Sequence, residues 1–328
     1  MLRTGFPKLS DIQAPVRDQL ETVVDELRRI VFSDFPAIEE VNDHLLWARG
    51  KLFRPTLLLL SNQVGGSPYP RSVTLAAIVE LIHLATLVHD DAVDHSVLRR
   101  GMPTVNALWN HQTAVIMGDY LYSRAMTELA AIGRVDLFEI LASAANEMSV
   151  GEMRQLLSYD ALDFTELDYD RLIASKTASL MSAACEVGAA TGAPEYQESL
   201  AAYGHALGMA FQIADDLLDY VSTEEVTGKP AGQDLREHKV TLPLIAARRE
   251  MTAAEESLVQ RFFADPEPSD EGIDQIMEIV RQRGGLEYAR RRADLLGEQA
   301  AEHLVGLPDC PATESLRVSI AYVIDRRN

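Results

Sequence analysis

Apolar residues recur at helical spacing along almost the whole 328-residue chain, and no series of segments alternates as half-buried strands do. A chain so patterned must bury the stripes of its helices against one another, which points to an all-α bundle. Val16, Leu20, Val23, Val24, Leu27 and Ile30 form one such stripe within a helix predicted over 9–32. Further helices are predicted over 51–64, 71–95, 104–131, 135–158, 165–192 and 195–221, and shorter ones over 241–250, 252–264, 270–282, 284–304 and 313–325. Gly and Pro cluster between them, as in Gly65-Gly66-Ser67-Pro68 and Gly228-Lys229-Pro230. Neither an internal repeat nor a low-complexity linker interrupts the pattern, so residues 1–328 read as a single domain of helices.

The chain is 47% hydrophobic, enough for a large buried core, and its low aromatic content of 6% alongside plentiful Ala, Leu and Glu favours helix over strand. A formal net charge of −20 argues against nucleic-acid binding through a basic surface. It does not exclude anionic substrates, because metal ions bridge acidic side chains to phosphate. Cys185 and Cys310 lie far apart and match no zinc spacing, so a reduced, cytoplasmic setting is expected. The start, Met1-Leu2-Arg3-Thr4, lacks a long apolar run behind a basic segment; neither a signal peptide nor a membrane span is expected.

Against this background two stretches stand out. The first, Glu80 to Asp94, ends in Asp90-Asp91-Ala92-Val93-Asp94. Residues four apart differ by about 40° round a helix, so Asp90 and Asp94 share a face, with His83 on the same stripe. Three carboxylates at a helix C-terminus repel one another and meet the negative end of the helix dipole, so a cation is needed to offset the cost. Hard oxygen ligands of this kind suit Mg²⁺, which keeps several waters and bridges to substrate phosphates. The second stretch repeats the pattern as Asp215-Asp216-Leu217-Leu218-Asp219, with Gln212 on the same face. One such motif is as easily a solvated acidic helix end; two copies, each inside an apolar helix, point to metal ions held around one diphosphate.

Fixed cations lie beside both motifs. Lys51 and Arg54 sit at a helix start, where backbone N–H groups also favour anions. Arg99 and Arg100 follow the first motif, Lys176-Thr177 falls within a long predicted helix, and Lys229 and Lys239 flank the loop after the second motif. Any one of these is ordinarily a surface charge. Their joint placement in so acidic a chain indicates charges paired through a ligand. His83 fits a phosphate-binding role, whereas His89 points elsewhere on its helix and fits a structural one.

At these residues the chain resembles the trans-isoprenyl diphosphate synthases, the polyprenyl synthetase family. The resemblance is carried by "GKLFRP", "ELIHLATLVHDDAVDHSVLRRGMPT", "GDYLYSRA", "SKTASL" and "FQIADDLLDYVSTEEVTGKPAGQDLREHKVTLPL" and extends from about Gly50 through Pro243. It implies an all-α bundle around a deep central cavity, usually a homodimer. It also implies Mg²⁺, three ions per active site, held by Asp90, Asp91, Asp94, Asp215, Asp216 and Asp219, although not every aspartate in such motifs is a direct ligand. Arg99, Lys176, Lys229 and Lys239 match residues around the allylic diphosphate. Lys51, Arg54, His83 and Arg100 match those that hold isopentenyl diphosphate. Thr177 and Gln212 match polar groups near the reacting carbons.

The reaction so implied ionises an allylic diphosphate, adds isopentenyl diphosphate to the cation and loses a proton to the released diphosphate, giving a longer linear chain. A class I terpene cyclase would not need Lys51, Arg54 and His83, and its second metal motif would mix Asn, Ser or Thr with Glu. A non-catalytic regulatory subunit would be expected to lack the aspartates. A geranylgeranyl diphosphate synthase remains an alternative within the same family. Chain length turns on the residues one turn below Asp90, Ala85 and Thr86, with Ile82 and Val79 deeper on the helix and Met153 or Leu157 on a neighbouring one. Small residues at this level leave the passage open, so the resemblance implies a product longer than twenty carbons, in the range of thirty to forty.

Overall fold

The structure, a computed structural model, describes residues 7–47, 50–99, 101–156, 161–221 and 231–325. Its helices follow the apolar periodicity, but three of the long predicted segments are interrupted. The first consists of α1 (Leu9–Gln13), a 3₁₀ turn at Ala14–Val16 and α2 (Arg17–Val31). Pro15 has no N–H to continue the ladder, which tightens the chain there. The second is divided into α6 (Val105–Leu108) and α7 (His111–Ile132), because Asn110 is extended and its side chain accepts from Thr113 N at 2.8 Å as an N-cap. The third becomes α9 (Glu166–Ile173), a π-turn at Ala174–Ala178 and α10 (Ser179–Gly192).

Between these lie α3 (Pro36–Trp47), α4 (Phe53–Gln63), α5 (Ser72–Val93) and α8 (Val135–Leu156). Then follow α11 (Gln197–Val221), α12 (Gln233–Arg236), α13 (Leu242–Arg248), α14 (Ala253–Ala264), α15 (Asp270–Gln282), α16 (Gly285–His303) and α17 (Pro311–Ile324). Two elements were not expected from periodicity, α3 and the single-turn α12. A short hairpin of β1 (Leu98–Arg99) and β2 (Met102–Pro103) also forms after the first aspartate motif. The apolar residues of α3 are diluted by Glu39, Glu40 and Asp43, and α12 and the hairpin are too short to carry a period.

At the centre stands α5, packed along α7 and against α2, α4 and α10. Among the described residues it is the one helix long and apolar enough to cross a membrane, and 67% of that apolar window is buried inside the protein, as befits a core helix. The other motif-bearing helix, α11, runs against α10 and α16. The core is continuous, with Leu57 to Leu60 of α4, Ile78 to Ile82 of α5 and Tyr203 of α11 among its fully or almost fully enclosed residues.

Close helix approach is what brings the site together. At Gly118, α7 leaves room for the His89 ring of α5, whose Nε2 lies 3.1 Å from Val115 O and 3.3 Å from Asp119. This is the structural role expected of His89. At Gly208, a side-chain carbon would stand 2.6 Å from the Cα of Ala178, so α11 lies directly on the π-turn. A Gly208→Ala substitution must push that turn away at a cost of roughly 1–3 kcal/mol. The expected outcome is a lower melting temperature in a scanning calorimeter, together with a loss of activity larger than the lost stability explains.

Candidate active site

Three aspartates end α5, and each has different surroundings. Asp90 is largely enclosed, with Lys176 Nζ at 3.8 Å. Burial pushes its carboxyl up to about 7, with Glu152 adding to the rise and Lys176 and Arg99 opposing it. Asp91 is buried at 7% exposure and receives Arg99 from the hairpin through Nε at 2.9 Å and Nη2 at 2.8 Å. It is therefore committed to holding Arg99, a bidentate arrangement favoured by guanidinium geometry. Asp94 forms the C-cap of α5; it is exposed, with Lys239 Nζ at 3.6 Å from its carboxylate.

The second motif divides its work in the same way. Asp215 is exposed, whereas Asp216 is 6% exposed. Asp216 accepts from Tyr169 Oη at 2.6 Å and from Gln212 Nε2 at 2.8 Å. Burial raises its carboxyl to about 7, against the pull of these two donors and with help from Asp215 and Asp219. Asp219 accepts the backbone N–H groups of Gln233 and Asp234, each at 3.0 Å, and so clamps the start of α12. That clamp brings the Asp234 carboxylate beside Asp216 and Asp219, and burial followed by these two charges drives its pKa well above the ordinary carboxylate range.

Two lysines join the halves. Lys176, on the π-turn, reaches Asp90, Gln155 Oε1 at 3.2 Å and the Glu152 carboxylate. Its neighbour Thr177 donates to Gln212 Oε1 at 2.7 Å, tying the π-turn to the second motif. Lys239, whose backbone N–H donates to Asp234 O at 2.7 Å, is paired with Glu237 and Asp94. Burial would lower the pKa of Lys239, but these carboxylates and Asp234 outweigh it and hold the ammonium charged. The two motifs therefore border one space, closed by the loop after α12 on one side and the π-turn on the other.

Glu152, Gln155, Tyr169 and Asp234 were not singled out from the sequence. The first two had a signal, a polar pair three residues apart on α8 beside the inward Met148 and Gly151. Asp234 had a weaker one, a carboxylate in the loop behind the second motif. Tyr169 had none beyond lying two helical turns before Lys176.

Among the other expected residues, Lys51 and Arg54 flank the start of α4, where Leu52 is left-handed at φ 51°. Phe53 between them stacks on Phe211 at 6.0 Å, which sets the start of α4 beside Gln212. His83 is half-buried on the Asp90 stripe. Arg100, Lys229 and Leu157 lie outside the described residues. Of the chain-length residues, Thr86 is half-buried, like His83, Leu87 and Asp90, whereas Ala85 is 2% exposed and Ile82 fully buried. Ala85 sits about 140° round the helix from Asp90. It is enclosed on a different side of α5 from Asp90. Met153 is 53% exposed on the outside of α8, whereas Met148 of the same helix is 5% exposed.

Among the described residues no three carboxylate, imidazole or thiol groups converge on one point. This is not an all-protein metal cage. Exposed Asp94 and Asp215 and the strongly perturbed Asp90 instead fit Mg²⁺, which takes one or two carboxylates and completes its shell with water and substrate phosphate.

The polyprenyl synthetase family profile matches residues 35–280. The chain is 38% identical over 319 residues to the all-trans-nonaprenyl-diphosphate synthase (geranyl-diphosphate specific) of Rhodobacter capsulatus, covering 96% of this chain and 97% of that one. It is 36% identical over 298 residues to the octaprenyl diphosphate synthase of Escherichia coli (strain K12), covering 90% and 92%. The crystal structure of polyprenyl synthase from Caulobacter crescentus CB15, complexed with calcium and isoprenyl diphosphate, superposes with a TM-score of 0.93 at 32% identity, covering 99% of each chain.

Asp90 and Asp216, each pushed up to about 7, bind protons that the unfolded chain has already released. Their contribution to stability is therefore fully present below the ordinary carboxylate value of about 4 and is lost as pH rises through 7. A divalent cation with diphosphate neutralises the ionised carboxylates that burial disfavours. The expected outcome is a rise in melting temperature on adding Mg²⁺ and inorganic diphosphate that is larger at about pH 8 than at about pH 5.5, read by thermal shift. Equal shifts at the two pH values would contradict this account of the site.

Proposed function

This chain belongs to the polyprenyl synthetase family, and from that membership we propose how its site performs prenyl transfer. It is a trans-prenyltransferase that condenses isopentenyl diphosphate with an allylic diphosphate into a linear polyprenyl diphosphate longer than twenty carbons. A divalent metal takes part. The observation that carries the mechanism is the crowding of carboxylates from two helices around a space bridged, among the described residues, by Lys176 and Lys239.

Asp90, Asp94 and Asp215 would hold Mg²⁺, three ions in all, while Asp91, Asp216 and Asp219 position Arg99, Gln212 and the 233–234 turn. Bound Mg²⁺ supplies charge neutralisation for the departing diphosphate. Arg99, Lys176 and Lys239 bind the same allylic diphosphate, and their charges meet the negative charge that develops as its C–O bond breaks. Lys51, Arg54 and His83 hold the second diphosphate, so that the double bond of isopentenyl diphosphate faces the allylic carbon. Thr177 and Gln212 lie beside the reacting carbons. With the aspartates of the two motifs committed to metal and to positioning, the released diphosphate takes the proton. Apolar walls from α5 and α8 exclude water, which would otherwise capture the cation.

The Rhodobacter and Escherichia relatives are named for nine- and eight-unit products. We assign this chain a product of forty to forty-five carbons, with the tail passing Thr86 and Leu87 on the half-exposed side of α5. A second copy would cover Ile116 of α7 and Met153 and Leu156 of α8, large apolar residues 63%, 53% and 55% exposed. The free cysteines Cys185 and Cys310 suit the cytoplasm.

Radiolabelled isopentenyl diphosphate with farnesyl diphosphate and Mg²⁺ should give a long polyprenyl product, and excess chelator should abolish it. Elongation that persists in chelator refutes the metal's role. Thr86→Phe should shorten the product to fifteen or twenty carbons in a stable enzyme. Ala85→Phe should also shorten it but lower the melting temperature, because Ala85 is packed. Product chromatography beside a thermal melt checks both, and unchanged length in both variants would place the tail elsewhere.

A further inference from the structure

We propose that Tyr169 is a positioning residue that fixes the polarity of the Thr177 hydroxyl, so that its lone pairs and not its proton face the reacting carbons. The inference rests on the prenyl-transfer reading of this site and concerns a residue that touches neither substrate.

Tyr169 lies on α9 with 2% of its surface exposed. Its hydroxyl donates to Asp216 Oδ2 at 2.6 Å. On α11, one turn before Asp216, Gln212 donates through Nε2 to Asp216 Oδ1 at 2.8 Å. Asp216 thus accepts at both oxygens. The two ends of a glutamine amide are nearly equal in shape and opposite in polarity, so a fixed acceptor at one end decides the orientation of the whole group. With its NH₂ turned to Asp216, Gln212 presents its carbonyl oxygen to Thr177, and the Thr177 hydroxyl must donate to it, as it does at 2.7 Å.

A threonine hydroxyl has a single proton. Once that proton is spent on Gln212, only lone pairs remain for the space beside Lys176. Acceptor lone pairs aimed where positive charge develops stabilise an allylic cation, by the same logic that aims donors at an oxyanion. A hydroxyl turned the other way would oppose it. Tyr169 sets this outcome from the far side of Asp216. Removing its oxygen leaves one face of the carboxylate without a donor and frees both Asp216 and the Gln212 amide to turn. The simpler alternative is that Tyr169 merely satisfies its own buried hydroxyl. The two differ in what they protect, since the alternative predicts a general loss of stability and binding.

The test uses the whole enzyme with Mg²⁺ and compares wild type with Tyr169→Phe. Two analogues are titrated calorimetrically: a neutral allylic thiodiphosphate, and an allylic diphosphate in which a tertiary ammonium replaces the cationic carbon. Expected is about a tenfold loss of affinity for the ammonium analogue with little change for the thiodiphosphate. In turnover, kcat should fall by a similar factor while the KM for isopentenyl diphosphate stays within about twofold. In a Thr177→Ala background, Tyr169→Phe should produce no further change in the ratio of the two affinities. Incorporation of 4-aminophenylalanine at position 169, which keeps a donor on the ring, should restore the ratio. Should Tyr169→Phe fail to fold, 4-methylphenylalanine at that position fills the oxygen's volume without donating and serves in its place. Equal loss for both analogues, no loss for either, or full additivity with Thr177→Ala would overturn the assignment. A wild-type enzyme that binds neither analogue and makes no product overturns the prenyl-transfer reading itself, and the inference with it.

Discussion

Crowded carboxylates are the constraint on which the site depends. Asp90, Asp94, Asp215, Asp216, Asp219 and Asp234 are gathered around one space with Glu152 beside it, while among the described residues Lys176 and Lys239 are the lysines paired with them there. In isolation that arrangement repels itself, and burial, reinforced by neighbouring carboxylates, pushes two of its members up to about 7. The surrounding helices must hold the charges together against this repulsion, and a long, continuous apolar core is what allows them to do so. A ligand that brings metal and phosphate into the gap then meets groups already in place, which is how stored electrostatic strain becomes preorganisation.

Preorganisation here depends on backbone detail as much as on side chains. The π-turn at Ala174–Ala178 adds a residue to the helical turn and shifts Lys176 and Thr177 out of the register they would occupy in a continuous α-helix. Gly208 allows α11 to lie on that turn, and Phe53 against Phe211 brings the start of α4 to the same end of α11. Segments far apart in the chain thus converge, and each is fixed by packing that involves no functional group. The aspartates supply the chemistry, and the small and aromatic residues around them set its geometry.

How much of this could be read from the sequence follows from the range of each interaction. The helices were legible because their apolar spacing is local. Their interruptions at Pro15, Asn110 and Ala174–Ala178 were not foreseen; the first two depend on capping and proline chemistry, and the third on packing against α11. Both aspartate motifs were legible as patterns, and so were the basic residues beside them. The separate duties of the aspartates were not, because Asp91 and Asp216 differ from Asp90 and Asp215 only in what lies across from them: Arg99, Tyr169 and Gln212. Glu152 and Asp234 were missed for the same reason, since a carboxylate on a helix or loop reads as solvated until its neighbours are known. Ala85 is close to Asp90 in sequence, yet the helical angle of about 140° between the two puts it on another, enclosed side of α5.

That angle also bears on where a growing hydrocarbon chain can go. A tail leaving the diphosphate site must follow a surface that is apolar and yet not already filled. On α5 the fully buried residues Ile78, Val79, Leu81 and Ile82 are filled by neighbouring helices, while His83, Thr86, Leu87 and Asp90 keep part of their surface open. The open residues grade from charged at Asp90 to apolar at Leu87 and small at Thr86, which suits a ligand with a polar head and a greasy tail. Below Thr86 the stripe closes at Val79. A long product would therefore leave α5 at this level, and its length would be set by the neighbouring helix that it meets there.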